Sequence, residues 1–155
     1  MGGFEKIIFG LGPQFVKHIF KNFYRCYIDD IFMLWSGSKQ ELEDFINFIN
    51  SLHPSIKVTA NYDFDTKSVP FLDCMVTVCD GRIVTDLYKK PTAANQYLLP
   101  SSAHPRHVCR NIPFSLAYRI LRIVSERSQF FVRLQELKNL LLQRQYSPKV
   151  IESAF

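Results

Sequence analysis

The chain has 155 residues, of which 47% are hydrophobic, and a formal net charge of +5. Fourteen Phe and seven Tyr supply enough apolar surface for a folded core, which excludes a disordered tail, and no apolar run approaches the roughly 20 residues that span a bilayer. The opening 20 residues are interrupted by Glu5, Lys6 and Lys17, which excludes a secretory signal, so an intracellular, nuclear location is expected.

The charges are distributed unevenly along the chain. Residues 1–88 contain eight Lys and Arg against eleven Asp and Glu, whereas residues 89–155 contain eleven against three. A basic surface attracts polyanions because binding releases their counterions. The second half therefore favours a nucleic-acid partner over an anionic membrane surface, and a merely solvated helical face is the simplest alternative.

The segment RCYIDDIFMLW, residues 25–35, places two carboxylates inside an aromatic and β-branched run. This pattern is typical of two strands that fold back at Asp29 and Asp30. Magnesium prefers carboxylate oxygens, so the acids are a candidate metal site, and because strand side chains alternate only one of them faces a given ligand. The simpler interpretation is a turn that Asp favours by bonding the nearby backbone.

A helix is predicted next. Ser38 and Glu41 match a capping box, and the helix presents an apolar stripe before it ends near His53 and Pro54; the stripe consists of Leu42, Phe45, Ile49 and Leu52. Residues 56–60 alternate as a short strand, residues 63–68 form a polar turn, and residues 69–88 alternate as two strands about Asp80 and Gly81. This order predicts an α+β layer, an antiparallel sheet with a helix packed on it.

The pattern changes after Tyr88. Residues 89–113 resemble a loop, and three helices follow: one from Phe114, one over about residues 130–145 and a short one after Pro148. The first is expected to bury a stripe of four residues, Phe114, Ala117, Leu121 and Val124. The segment HPRHVC offers three zinc ligands where a structural site needs four, so a loop is favoured there; the ligands are His104, His107 and Cys109.

Several blocks, in order, resemble the reverse transcriptases of Penelope-like retroelements. They are RCYIDDIFMLW with its Y-x-D-D tip, VPFLDCMV, TDLYKKPTAANQYL, SSAHPRH and IPFSLAYRI, and the opening MGGFEKII extends the resemblance over nearly the whole chain. The resemblance implies a palm-type antiparallel sheet with a packed helix over residues 1–100. A small all-helical, thumb-like or helix-turn-helix-like unit would follow over residues 101–155.

The same resemblance assigns roles to residues. Asp29 would bind catalytic Mg²⁺, with Asp30 as a weaker second ligand, and the primer grip would consist of Tyr27, Phe71, Leu72 and Asp73. Lys67 is a candidate catalytic proton donor to the leaving pyrophosphate. An RNA template and DNA primer duplex would contact the basic residues, namely Lys89, Lys90, Arg106, Arg110, Arg119, Arg122, Arg127 and Arg133.

The family's metal site uses a further aspartate upstream, and Glu5 is the only acid ahead of Asp29. We therefore expect a truncated polymerase, lacking its N-terminal palm and fingers part, that does not polymerise alone. Two alternatives are a non-catalytic nucleic-acid-binding helical module and an inert relic with an exposed apolar patch, formed by Phe4, Ile7, Ile8, Phe9, Phe15 and Phe20. The polymerase interpretation requires Asp29 at an exposed β bend; burial, or a position inside a helix, would contradict it.

Overall fold

The computed structural model describes residues 6, 10, 19, 24–93 and 96–155. The chain divides into two compact units, Met1–Thr66 and Lys67–Phe155. Within the described residues the elements are two small antiparallel sheets and four helices, so the predicted α+β class is confirmed. The structural boundary lies at Thr66, whereas the division into functional parts near residue 100 stays a prediction. The apolar patch expected over residues 4–20 lies outside the described residues.

Residues 25–32 of the first unit form a hairpin. Strands β1 (Arg25–Tyr27) and β2 (Asp30–Phe32) pair antiparallel, with Tyr27 opposite Asp30. Ile28 and Asp29 form the two-residue loop between them. The predicted bend at the acids is confirmed, although only Asp29 is in the loop while Asp30 already belongs to β2.

Helix α1 (Lys39–Leu52) follows, as predicted. Its N-terminus is a capping box: the Glu41 N–H donates to Ser38 Oγ at 3.3 Å, and the Ser38 N–H donates to the Glu41 carboxylate at 2.8 Å. Of the predicted stripe, Leu42, Phe45 and Ile49 are buried and Leu52 is half-buried. Trp35 stacks on Phe45 with ring centroids 5.4 Å apart, which joins the hairpin's exit to the helix.

The strand predicted at residues 56–60 is wrong, because this segment has no strand partner in the structure. The Asn50 side chain occupies the centre of the segment instead. Its amide donates to the Val58 carbonyl at 2.9 Å and accepts from the Val58 N–H at 2.6 Å. An alternating pattern predicts a strand only where a neighbouring strand takes up the backbone groups, and here a side chain takes them.

The second unit begins with a three-stranded antiparallel meander, β3 (Ser68–Phe71), β4 (Cys74–Cys79) and β5 (Arg82–Leu87). The turn at Asp80 and Gly81 is confirmed, with φ of +50° and +73°. A second two-residue turn, Leu72–Asp73, divides the predicted first strand in two. The segment therefore forms three strands where two were expected.

Three helices complete this unit: α2 (Arg106–Ile123), α3 (Arg127–Gln143) and α4 (Pro148–Ala154). Helix α2 begins eight residues earlier than expected, so the loop predicted for residues 106–113 is wrong. Pro113 lies inside it and cannot donate to the Cys109 carbonyl, a defect that costs about 3 kcal/mol in an isolated helix. Cys109 and Pro113 are both buried.

The packed face of α2 differs from the predicted one. Of the predicted stripe, Ala117 and the C-cap residue Val124 are buried as expected, whereas Phe114 and Leu121 are exposed. The helix also buries Cys109, Pro113 and Ile120. Ala117, Ile120 and Val124 form one core with residues of α3, α4 and the turn between them, namely Leu137, Leu141, Tyr146 and Ile151. The apolar residues of α2 occupy two faces, so periodicity alone did not identify the buried one.

Strand β5 is bonded to the helices within the second unit. The Ser125 N–H donates to the Thr85 carbonyl at 3.0 Å, and Thr85 Oγ1 donates to the Ile123 carbonyl at 2.5 Å. Leu87 packs against the helical core. The meander and the three helices therefore form a single packed unit.

Candidate nucleic-acid interface

The β1–β2 loop carries the candidate metal ligands. Ile28 has a φ of +52° and is 82% exposed, and Asp29 and Asp30 are both exposed. Neither acid forms an ion pair with any residue that the structure describes. Tyr27, assigned beside the primer terminus, is opposite Asp30 in the pairing and is also exposed.

The acids fit magnesium in chemical type, because carboxylate oxygens are hard donors. Over residues 24–93 and 96–155, however, no three acidic, His or Cys side chains gather into a metal-binding group. Two adjacent carboxylates thus supply part of a ligand set. The absence of such a group also applies to the HPRHVC segment, where α2 starts and Cys109 is buried.

The Leu72–Asp73 loop matches the first loop in its length and in the left-handed conformation of its first residue, but its acid has different neighbours. Leu72 has a φ of +55° and is 42% exposed. The Asp73 carboxylate accepts from Arg119 Nε at 2.7 Å and lies 2.6 Å from a second guanidinium nitrogen. A predicted primer-grip residue and a predicted phosphate-binding residue are therefore joined to each other.

Arg133 is likewise engaged within the unit. Its guanidinium donates to both Asp86 oxygens, at 3.0 and 2.6 Å, and to the Glu136 carboxylate at 2.9 Å. The hydrogen bonds from Arg133 hold the pKa of Asp86 below its usual range, and the same bonds raise the pKa of Arg133. Lys89 adds a longer contact of 3.5 Å to Glu136. Sequence reasoning missed both partners. Asp86 lies 47 residues from Arg133 and leaves no local signal, whereas Glu136 follows Arg133 by three residues, the spacing of a helical ion pair that could have identified it.

The remaining candidate cations are exposed. Lys67 precedes β3 with a φ of +51°, in a different unit from Asp29, and its carbonyl accepts from the Val78 N–H. Lys90 is exposed in the connector. Four exposed arginines form no ion pair with the described residues, namely Arg106, Arg110, Arg122 and Arg127.

A cavity of about 390 Å³ opens between the Leu72–Asp73 loop, the connector and helices α2 and α3. Its polar lining includes Tyr88, Lys89, Lys90 and Tyr97, together with two ion pairs, Arg119 with Asp73 and Arg133 with Glu136. The structure thus gathers six of the predicted site residues around one cavity: Leu72, Asp73, Lys89, Lys90, Arg119 and Arg133.

Helices α3 and α4 are joined by a four-residue turn, residues 144–147. Gln145 reverses the chain with a φ of +63°, and Ser147 caps α4 by accepting from the Val150 N–H at 3.4 Å. Tyr146 is buried in the turn, where its hydroxyl donates to the Leu98 carbonyl at 2.9 Å and burial raises its pKa. A four-residue turn between two packed helices is the kind of connection found in a helix-turn-helix.

Residues 96–155 match the family model of the animal helix-turn-helix domain, a range that contains α2, α3 and α4. No curated protein and no solved structure matches the chain. Because helix-turn-helix domains bind nucleic acid, the match suggests a nucleic-acid partner for the helical part. In the part of the chain that the structure describes, none of the helices has the length and apolarity to cross a membrane.

Proposed function

We propose that residues 96–155 bind a nucleic-acid duplex and that the chain is the palm-and-thumb part of an RNA-directed DNA polymerase resembling those of Penelope-like retroelements. One observation carries the proposal: a helix-turn-helix-like unit in which nine Lys and Arg stand against three Asp and Glu. Such a surface retains a polyanion by releasing its counterions.

The exposed arginines are the best candidates for phosphate contacts. Arg119 and Arg133 are already matched by carboxylates, so they would contribute less than Arg110 and Arg122. For duplex DNA, the slope of log affinity against log salt changes by about 0.9 for each phosphate that a cationic side chain neutralises. Charge-removing substitutions at Arg110 or Arg122 should therefore each reduce the slope by about that amount.

Duplex binding can be measured by fluorescence anisotropy between about 50 and 200 mM salt. We expect the steep salt dependence of the wild type to flatten in Arg110→Gln and in Arg122→Gln. Arg25→Gln, which changes an exposed arginine of the first unit, should leave the slope unchanged. A wild-type chain without duplex affinity at low salt would contradict both the thumb and the binding-module interpretations.

The polymerase part of the proposal rests on the β1–β2 loop. Asp29 and Asp30 would hold Mg²⁺, which when bound offsets the negative charge that develops during phosphoryl transfer. Asp29 lies in the two-residue loop at the hairpin's exposed end, and Tyr27, the last residue of β1, is paired with Asp30. Lys67 is the candidate proton donor to the leaving group.

Primer extension on an RNA template tests the expected inactivity of the chain by itself. We expect no extension with magnesium, because two adjacent carboxylates do not complete a two-cation site. Appreciable extension that Asp29→Ala abolishes and Asp65→Ala preserves would contradict the inactivity and assign a complete site to this chain. Asp65 is a suitable control because it is an exposed acid of the same unit.

A second candidate function is a non-catalytic nucleic-acid-binding module. The restriction of the family match to residues 96–155 favours it, because the match does not extend to the acids. A module that reads base edges discriminates among duplex sequences, whereas backbone contacts bind all sequences alike. Competition between unrelated duplexes in the same anisotropy assay separates the two functions.

A further inference from the structure

Helix α2 carries a ridge of basic and aromatic side chains that the fold does not use. Four residues at successive i, i+4 positions form it, and all four are exposed: Arg110, Phe114, Tyr118 and Arg122. Side chains four residues apart are neighbours on a helix surface, so the ridge is continuous. Arg106 extends it to the first turn, which gives a length of about 24 Å at 1.5 Å per residue.

The two rings are arranged as a platform. Phe114 and Tyr118 are 55% and 47% exposed, their centroids lie 6.0 Å apart, and their planes differ by 13°. The Arg122 guanidinium lies over the Tyr118 ring at 5.9 Å, next to the platform. Exposed, nearly parallel rings can receive flat ligands in one common orientation, and a guanidinium plane can stack in the same way.

The positive charge of α2 favours flat ligands that carry negative charge. The helix contains four arginines and no Asp or Glu, and Arg119, the one outside the ridge, is paired with Asp73. A second copy of the chain would bring ridge arginines against ridge arginines, which disfavours self-association. The ridge therefore fits an extended ligand with aromatic rings and regularly spaced negative charges.

We propose that this ridge binds single-stranded nucleic acid, with bases stacked on Phe114 and Tyr118 and phosphates held by the arginines. The inference deepens the proposed function and rests on it. In a duplex the base faces are covered by their neighbours, so these rings would have nothing to stack on except at an end. Single strands expose those faces, and stacking on aromatic side chains tolerates any base.

Helix α3 supplies a matched comparison. Phe131 is exposed to the same 55%, and Arg127 lies over its ring at 5.8 Å. The same spacing continues from Phe131 with Gln135, Asn139 and Gln143, so this face has one ring and one arginine only. Phe131→Leu is therefore the control for the loss of an exposed ring outside the ridge.

The test measures binding of a labelled oligo(dT) and of a duplex of equal length to the full chain. Replacing both Phe114 and Tyr118 by Leu, which keeps apolar surface but removes the rings, should weaken oligo(dT) binding by at least about tenfold and leave duplex affinity unchanged. Replacing both by Trp should preserve oligo(dT) binding. The Phe131→Leu control should bind both ligands like the wild type, and circular dichroism verifies that every variant is folded.

The opposite outcomes are equally specific. The inference is overturned if the variant with Leu at 114 and 118 retains oligo(dT) affinity, or if its duplex affinity falls by the same factor as its oligo(dT) affinity. It is also overturned if Phe131→Leu weakens oligo(dT) binding as much as the double substitution does. A wild-type dimer in sedimentation that Phe114→Ser dissociates would assign the ridge to self-association and overturn it too. If the wild type binds duplex and not oligo(dT), only this inference fails; if it binds neither, the proposed function fails as well.

Discussion

The two hairpin loops have the same length and the same left-handed first residue, and they differ in what surrounds their acids. In each loop a branched apolar residue in the left-handed region, Ile28 or Leu72, precedes an aspartate. Asp73 is bound by Arg119, whereas Asp29 meets no cationic side chain among the described residues. The loop thus determines the position of a carboxylate, and the neighbouring element determines whether the carboxylate forms an ion pair. The charge of Asp73 is paired inside its unit, whereas that of Asp29 is not paired with any residue that the structure describes.

The largest effect is expected from cutting the bonds between the second sheet and its helices. Arg133→Gln leaves Asp86 half-buried without its cation and should destabilise the second unit by about 2 kcal/mol. Far-UV circular dichroism during urea unfolding reports this unit, because it contains three of the helices described. Fluorescence of Trp35, the sole tryptophan, reports the first unit and should not change. Arg110→Gln, exposed on α2, is the control; an equal loss there would contradict the prediction.

The same ion pair predicts a pH dependence. The pKa of Asp86 is lowered in the folded chain, chiefly by the hydrogen bonds from Arg133. Its contribution to stability is therefore complete above the ordinary carboxyl pKa of about 4 and is lost as the pH falls through the lowered value. In acid titrations followed by circular dichroism, Arg133→Gln should lose less stability below about pH 4 than the wild type. Parallel acid curves for the two proteins would count against this role of Asp86.

The availability of Asp29 can be tested with paramagnetic Mn²⁺ as a stand-in for magnesium. Amide signals of the Ile28–Asp29 loop should broaden at lower Mn²⁺ concentration than those of the Leu72–Asp73 loop. Asp29→Asn should raise the concentration needed at the first loop by about tenfold, or about 1.4 kcal/mol. Asp73→Asn serves as the control and should leave the first loop unaffected. Simultaneous broadening at both loops would remove the proposed difference between the acids.

A smaller effect is expected from relieving backbone strain. Ile28 is β-branched, has a φ of +52° and makes little packing contact at 82% exposure. Asn tolerates this conformation, so Ile28→Asn should stabilise the first unit by about 1 kcal/mol in Trp35-monitored unfolding. Leu72→Asn should stabilise the second unit by less than this amount, because Leu72 also lines the cavity of that unit. A destabilised Ile28→Asn protein would indicate that the exposed side chain packs in solution.

Local signals predicted the local structure. The capping box at Ser38 fixed the start of α1, Asp80–Gly81 marked a hairpin, and the run about Asp29 indicated another. Features that depend on distant partners were mispredicted: Asn50 replaced a strand partner at Val58, and the buried Pro113 lies inside α2. For the site, exposure of the acids followed from the turn. The pairing of Arg119 with Asp73 did not, because nothing near Arg119 in sequence marks its partner.

The Asn50 clamp has a consequence for the behaviour of the chain at high concentration. An alternating segment with unpaired backbone groups is a template on which a second molecule can add a strand, the first step toward intermolecular β-assembly. With both backbone groups of Val58 already bonded, residues 56–60 have no free N–H or C=O at their centre. The Asn50 side chain thereby blocks the addition of a strand from a second molecule at the centre of residues 56–60.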